Sequence, residues 1–326
     1  MVRRLPLVAL PLLCAALLAG PVSSQTAAPP VPDQAETVIG TEEDRSDRMT
    51  VPVMIGGRGP FNFVVDTGAE RTVIARELAS DLALGRGARA RVHSMTEVSL
   101  IETVVIPDLE VGGRNVQRIH APALARRNLG AEGMLGVDSL KSQRVSFDFD
   151  RQQMTVQPSS RPRERWESDA IVVTGKSRFG HLVLVDAAID GQKVWVIVDT
   201  GSQVTVGNSV LRKKLADKKR LGVSYPMQLI SVTGGSIVAD QAIAKRIRLG
   251  SITINDLPIA FADVHPFRKL DLMDRPALLL GMDALRLFNR VSVDFANRRV
   301  RLLHDAESRR AADTRLAQAE RGAPGS

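Results

Sequence analysis

Residues 63–74 read FVVDTGAERTVI, and residues 196–207 read VIVDTGSQVTVG. Each is an apolar run, then Asp-Thr-Gly, a few polar residues and an apolar pair. The likeness continues outward in the same order. LEVGGRNVQ (109–117) matches IRLGSITIN (247–255), EGMLGVDSL (132–140) matches LLLGMDALRLF (278–288), and RVSFDFDRQQMTV (144–156) matches RVSVDFANRRVRL (290–302). Blocks that keep their order while the loops between them change length mark an internal duplication. FVV and WVIV are short apolar β runs, LEVGG and IRLGS are strand ends closed by Gly, and RVSFDF and RVSVDF alternate with the period of half-buried strands. Helical spacing is confined to residues 75–84, residues 209–219 and a turn or two after each Leu-Gly. Each copy is therefore mostly β with short helices.

The chain has 326 residues, 44% hydrophobic and 25% charged, which leaves room for two globular domains. Aromatics are only 4%, so the cores must rest on Val, Ile, Leu and Ala. The formal charge is +8. The Lys and Arg are spread along the chain without a dense run or interleaved aromatics, which argues against a nucleic-acid partner. Residues 1–24, MVRRLPLVALPLLCAALLAGPVSS, join a basic start to an apolar stretch too short and too Pro-interrupted for a stable membrane span. With small residues at Val22 and Ser24, they predict a secretory signal peptide cut after Ser24; an uncleaved anchor is the rival. Leu13, immediately before Cys14, speaks against a lipoprotein. Cys14 is the one cysteine, so the mature chain offers no disulfide, thiol nucleophile or cysteine metal site. That fits export to a bacterial periplasm or secretion without staples. The domain reading is a signal peptide (1–24), a flexible Pro/Ala-rich segment (25–45), a first unit (46–156), a polar linker (157–170), a second unit (171–304) and a charged tail (305–326).

An apolar strand running into Asp-Thr-Gly puts a carboxylate at the end of a buried strand. The glycine frees the backbone to turn and to approach another group closely. One such aspartate is most often a turn or cap residue. Two, at matching places of a duplication, carry a stronger signal. Two carboxyls brought together cannot both ionise and so share a proton. The ionised one can take a proton from water while the protonated one polarises a carbonyl oxygen, which is acid–base hydrolysis without metal, cofactor or nucleophilic side chain. The five His are scattered without metal spacing, and no G-x-S-x-G elbow occurs. Residues 174–177 mimic the end of a phosphate loop but lack its first glycine. No cofactor and no metal are expected.

Each Asp-Thr-Gly is followed by two apolar residues and Gly: Met134-Leu135-Gly136 and Leu279-Leu280-Gly281. With these motifs the chain resembles the retropepsin-like aspartic peptidases of the pepsin/retropepsin clan, over nearly all of residues 46–304. It is similar to exported bacterial members that carry two such units in one chain. The resemblance implies an all-β protein of two homologous β-barrel lobes with short helices, a pepsin-like bilobal pseudo-dimer. It implies an endopeptidase acting on peptide or protein in extended conformation, with Asp66 and Asp199 as catalytic dyad at the lobe interface. Thr67, Gly68 and Ala69, and Thr200, Gly201 and Ser202, would support the dyad, the threonines by crossing hydrogen bonds between lobes. Leu135-Gly136 and Leu280-Gly281 would pack beneath the Asp-Thr-Gly loops. Hairpins at Ser94, Met95 and Thr96, and at Val232, Thr233, Gly234 and Gly235, would be flaps over the substrate.

Three departures bear on the site. Asp138 and Asp283 stand after Leu-Gly where viral members carry Arg; Asp138 is placed to pair with Arg71, and the second copy has no such Arg. The first flap has no glycine at its tip and the second has Gly234-Gly235, which predicts a second flap better able to close. Ala69 follows the first motif and Ser202 the second. A hydroxyl that donates to an ionised carboxylate lowers its pKa, so the expectation is that Asp199 holds the charge and Asp66 the proton.

Other classes compete with a peptidase. The same fold serves as a peptide-binding module without turnover, against which the two intact aspartates argue. A basic envelope protein binding membrane surface or polyanion is another class. Within the enzyme reading, lobes of different chains are an alternative source of the pair. The short linker and unequal loops favour pairing within one chain, and a monomer.

Overall fold

The computed structural model describes residues 37–40, 42–43, 49–111, 114–140, 142–160, 171–178, 181–184 and 186–303. Residues 1–24, read as a signal peptide, residues 161–170 of the stretch read as a linker, and residues 305–326, read as a charged tail, lie outside the described residues. The protein is all-β with short helices, in two sheet-rich lobes.

The first lobe is a barrel. Its strands follow one another in space as Glu42–Glu43, Met49–Ile55, Arg58–Val65, Gly133–Leu135, Val73–Ala75, Arg114–Leu124 and Thr103–Val111, and the last pairs back onto Met49–Ile55. Phe63, Val64 and Val65 are all buried, so this end of the strand, flanked in the sheet by Met49–Ile55 and the parallel strand Gly133–Leu135, is covered on both faces. A strand covered on both faces needs a continuous apolar run rather than alternation.

The second lobe repeats the circuit. Trp195–Val198 runs parallel to Ala277–Leu280, which pairs antiparallel with Val206–Gly207. That strand lies parallel to Ile252–Phe261, whose antiparallel partner is Ser236–Leu249. The counterpart of Met49–Ile55 is divided. His181–Leu184 pairs with Trp195–Val198, and Ala187–Ile189 pairs with Ser236–Leu249.

A six-stranded sheet joins the lobes. The two RVS repeats pair with each other antiparallel, Val145 opposite Val293 and Phe147 opposite Val291. Ser146 Oγ donates to Ser292 Oγ at 2.9 Å across the pair. Gln153–Pro158 and Thr37–Gly40 extend the sheet on one side, and Arg299–Leu303 and Ile171–Arg178 on the other. The buried Val145, Phe147, Val291 and Val293 belong to one hydrophobic cluster with residues of both lobes. Of the stretch 25–45 read as flexible, the described residues 37–40 and 42–43 are strands. They are held by backbone pairing to Gln153–Pro158 and Met49–Ile55, which a Pro/Ala-rich composition does not announce.

Helices Arg76–Asp81 and Ser209–Asp217 fall within the two spans of helical spacing. Asn208 starts the second, its Oδ1 accepting the Leu211 N–H at 2.9 Å. Among the described residues, no helix is long and apolar enough to cross a membrane.

Candidate active site

Each Asp-Thr-Gly lies just past the end of a central strand. The Asp66 N–H donates to Leu135 O at 3.0 Å and the Asp199 N–H to Leu280 O at 3.1 Å, so each aspartate is tied to its own apolar-Gly segment. The loops then turn back on the carboxyls. Gly68 and Ala69 N–H donate to Asp66 Oδ1 at 2.7 and 2.9 Å, and the Gly201 N–H donates to Asp199 Oδ1 at 2.9 Å. A Cβ on Gly68 would run into the Asp199 carboxyl, and one on Gly201 into that of Asp66. Glycine is required here for close approach between lobes.

The threonines cross-link the two loops. Thr67 Oγ1 donates to Val198 O at 3.0 Å and accepts the Thr200 N–H at 3.1 Å. Thr200 Oγ1 donates to Val65 O at 2.6 Å and accepts the Thr67 N–H at 3.0 Å. Both side chains are buried, so these four bonds satisfy groups that water cannot reach.

Asp66 and Asp199 line one cleft of about 610 Å³, walled by both lobes. Burial pushes the Asp199 carboxyl well above the ordinary carboxylate range. The Asp66 charge and a carboxyl–carboxyl hydrogen bond push it further, and N–H groups of Gly201 and Ser202 offset this only in part. The expectation that Ser202 holds Asp199 in its charged form is overturned. Ser202 Oγ donates to Val204 O at 2.8 Å. A serine hydroxyl has one proton, and here the local backbone takes it, so Ser202 Oγ does not hold Asp199 in its charged form.

Beneath each loop lies a relay built from a threonine six residues after the aspartate. Thr72 donates from N and Oγ1 to Asp138 Oδ1 at 2.9 and 2.8 Å, and Thr72 Oγ1 accepts the Gly136 N–H at 3.2 Å. In the second lobe Thr205 donates to the Asp283 carboxylate at 2.9 and 2.7 Å and accepts the Gly281 N–H at 3.2 Å. Asp138 therefore serves Thr72 rather than pairing with Arg71 as expected. The physical reason is reach: the aspartate sits at the first turn of a short helix, directly under the loop, and a threonine suffices in both copies. A Thr at matching distance from each Asp-Thr-Gly, Thr72 and Thr205, is the sequence signal for this relay.

The flap hairpins meet over the cleft. Ala90–His93 pairs with Val98–Ile101, and Tyr225–Ile230 with Ser236–Leu249. Ser94, Met95 and Val232 face the cleft, whereas Thr96, Thr233, Gly234 and Gly235 do not line it. Thr233 Oγ1 donates to Ser94 Oγ at 3.1 Å, and a Cβ on Gly235 would sit 2.6 Å from Thr96 Oγ1. The glycine of the second tip thus admits the first flap. The first flap is also held by the second lobe. The His265 N–H donates to Met95 O at 2.8 Å, and the His93 and His265 rings lie 4.9 Å apart. An ion pair crosses the cleft between Lys269 Nζ and Glu70 Oε2 at 2.6 Å. Short helices Arg126–Leu129, which lends Arg127 and Asn128 to the cleft lining, and His265–Lys269, which supplies His265 and Lys269, have no side-chain N-cap, so the sequence carried little signal for them. Among the described residues no group of three or more His, Cys, Asp or Glu is placed to hold a metal.

A family model described as aspartyl protease matches residues 51–139 and 185–284, once on each lobe. Curated proteins give no match to the chain.

Proposed function

The chain belongs to the aspartyl protease family, and from that premise we propose that it is an endopeptidase whose catalytic pair, Asp66 and Asp199, comes from its own two lobes. The observation that carries this reading is that the two carboxyls, each packed against the other lobe's Asp-Thr-Gly glycine, line one cleft shared by both lobes. Asp66, ionised and held by two backbone N–H groups, takes a proton from water as that water attacks the scissile carbonyl. Asp199, protonated, donates to the carbonyl oxygen and offsets the charge that develops there. Return of a proton to the leaving nitrogen completes the cleavage. The flaps close over an extended peptide and exclude bulk water, which strengthens each of these interactions.

Asp66→Asn and Asp199→Asn, made singly, test the proposal. Each is expected to lower kcat/KM on a mixed peptide library by at least about a thousandfold, the scale of losing a member of an interdependent catalytic unit. Full cleavage by either variant overturns it. Like-lobe pairing between chains predicts instead that each variant keeps one intact site. We propose further that the protein is monomeric and exported, residues 1–24 being removed. Sedimentation of the active enzyme as a single chain, and a mature N-terminus at Gln25 in an envelope fraction, are the expected results.

A further inference from the structure

The duplication gives most cleft positions a counterpart, so the two walls can be compared residue by residue. Arg71 follows the first Asp-Thr-Gly where the second copy has Val204. Arg91 stands three residues before Ser94 in the first flap, where the second flap has Gln228 three before Ser231. Arg127 is the second residue of helix Arg126–Leu129, where helix His265–Lys269 has Pro266. All six line the cleft. At these three positions one wall therefore carries cations and the other does not; the second wall's Lys269 is taken up by Glu70.

These cations are also uncommitted. Among the described residues no carboxylate lies within ion-pair distance of Arg71, Arg91 or Arg127, although neighbouring Arg126 pairs with Glu132 at 3.6 Å and Arg89 with Glu102 at 3.3 Å. Among the described residues Glu70 is the one carboxylate lining the cleft besides Asp66 and Asp199, and it is engaged by Lys269. A guanidinium presents a rigid fork of donors that matches a carboxylate. In a half-enclosed cleft its attraction is screened less than on open surface.

We propose that the first-lobe wall selects acidic side chains, so that the substrates are polypeptides with Asp or Glu flanking the cut, while the second-lobe wall takes neutral or apolar ones. This rests on the endopeptidase reading and names its substrate class. Two peptides differing only in Glu versus Gln at the flanking positions test it on the full chain. The acidic peptide is expected to show about tenfold higher kcat/KM, mostly through KM, the scale of a few partly exposed ion pairs. That ratio should fall as salt is raised. The combined substitutions Arg71→Gln, Arg91→Gln and Arg127→Gln are expected to bring the ratio to within about twofold of one, and Arg91→Gln alone to lower it by roughly half. Equal cleavage of both peptides by the wild type, or an unchanged ratio in the triple variant, overturns the proposal. If the wild type cleaves neither peptide, the endopeptidase reading fails by itself. Fluorescence anisotropy of the same two peptides then still decides, tighter binding of the acidic peptide upholding the charge selection and equal binding overturning it.

Discussion

At the residue scale the site depends on where single protons and single hydrogen bonds go. Asp199 is half-buried and its pKa raised, so between the ordinary carboxylate value of about 3.9 and the raised value the folded state binds more protons than the unfolded one. Stability accordingly falls as pH rises through that window, as the penalty for ionising Asp199 sets in. Asp199→Asn removes it while still donating to Asp66. At pH 7 this variant should melt higher than wild type by roughly 2 °C or more and be inactive; calorimetry at pH 7 and again at about pH 4, where the difference should shrink, checks the sign. The same raised pKa puts the alkaline limb of kcat/KM above the ordinary carboxylate range, and Ser202→Ala should leave that limb in place because its hydroxyl serves Val204 O. Thr200→Ala strips partners from two buried backbone groups, the Val65 carbonyl and the Thr67 N–H. A loss of about 2–4 kcal/mol in urea unfolding is expected, with Thr200→Ser recovering most of it.

At the scale of elements, the flaps were read from sequence as two hairpins differing in glycine content, with mobility as the consequence. Their contact gives that difference another cause. Gly235 leaves the space that Thr96 fills, so Gly235→Ala should hold the tips apart and raise KM for peptide roughly fivefold, about 1 kcal/mol, with a smaller effect on kcat. The first flap has its own sensitivity. Burial lowers the pKa of both His93 and His265; the His93 charge together with Arg268 and Lys269 adds to this at His265, while at His93 Lys269 and Arg91 lower it further and Glu70 opposes them. A lowered imidazole pKa means that the closed contact is fully stable above the ordinary value of about 6.5 and weakens as pH falls through it toward the lowered values. Amide exchange in residues 90–101 should therefore quicken on acidification, and His93→Ile, which copies Ile230 of the second flap, should flatten that dependence.

For the whole molecule the joining sheet matters most. Its buried residues run from one lobe into the other within a single hydrophobic cluster, so the lobes should unfold together. Phe147→Ala is expected to cost about 3–5 kcal/mol, with intrinsic fluorescence and catalytic activity lost over the same denaturant range. Separate transitions for the two probes would sink this picture. The RVS repeats were recognised from sequence as strands, but nothing in their alternation said that each is the other's partner. Period-2 patterning reports which face is buried and leaves the neighbour open.

The sequence by itself determined the duplication, the mostly β character and the two Asp-Thr-Gly loops, because these are local patterns that recur in order. It also singled out the apolar-Gly segments that pair with the strands before those loops. Only the tertiary structure decided that the two carboxyls share one cleft, that Ser202 serves its own loop, that Thr72 and Thr205 take Asp138 and Asp283, and that Gly235 faces Thr96. It also decided that three arginines without an ion-pair partner among the described residues share one wall of the cleft. Each of these depends on distances between residues far apart in the chain, and on burial, which sets how strongly a charge or an unmet hydrogen bond is felt. A one-dimensional pattern carries neither quantity.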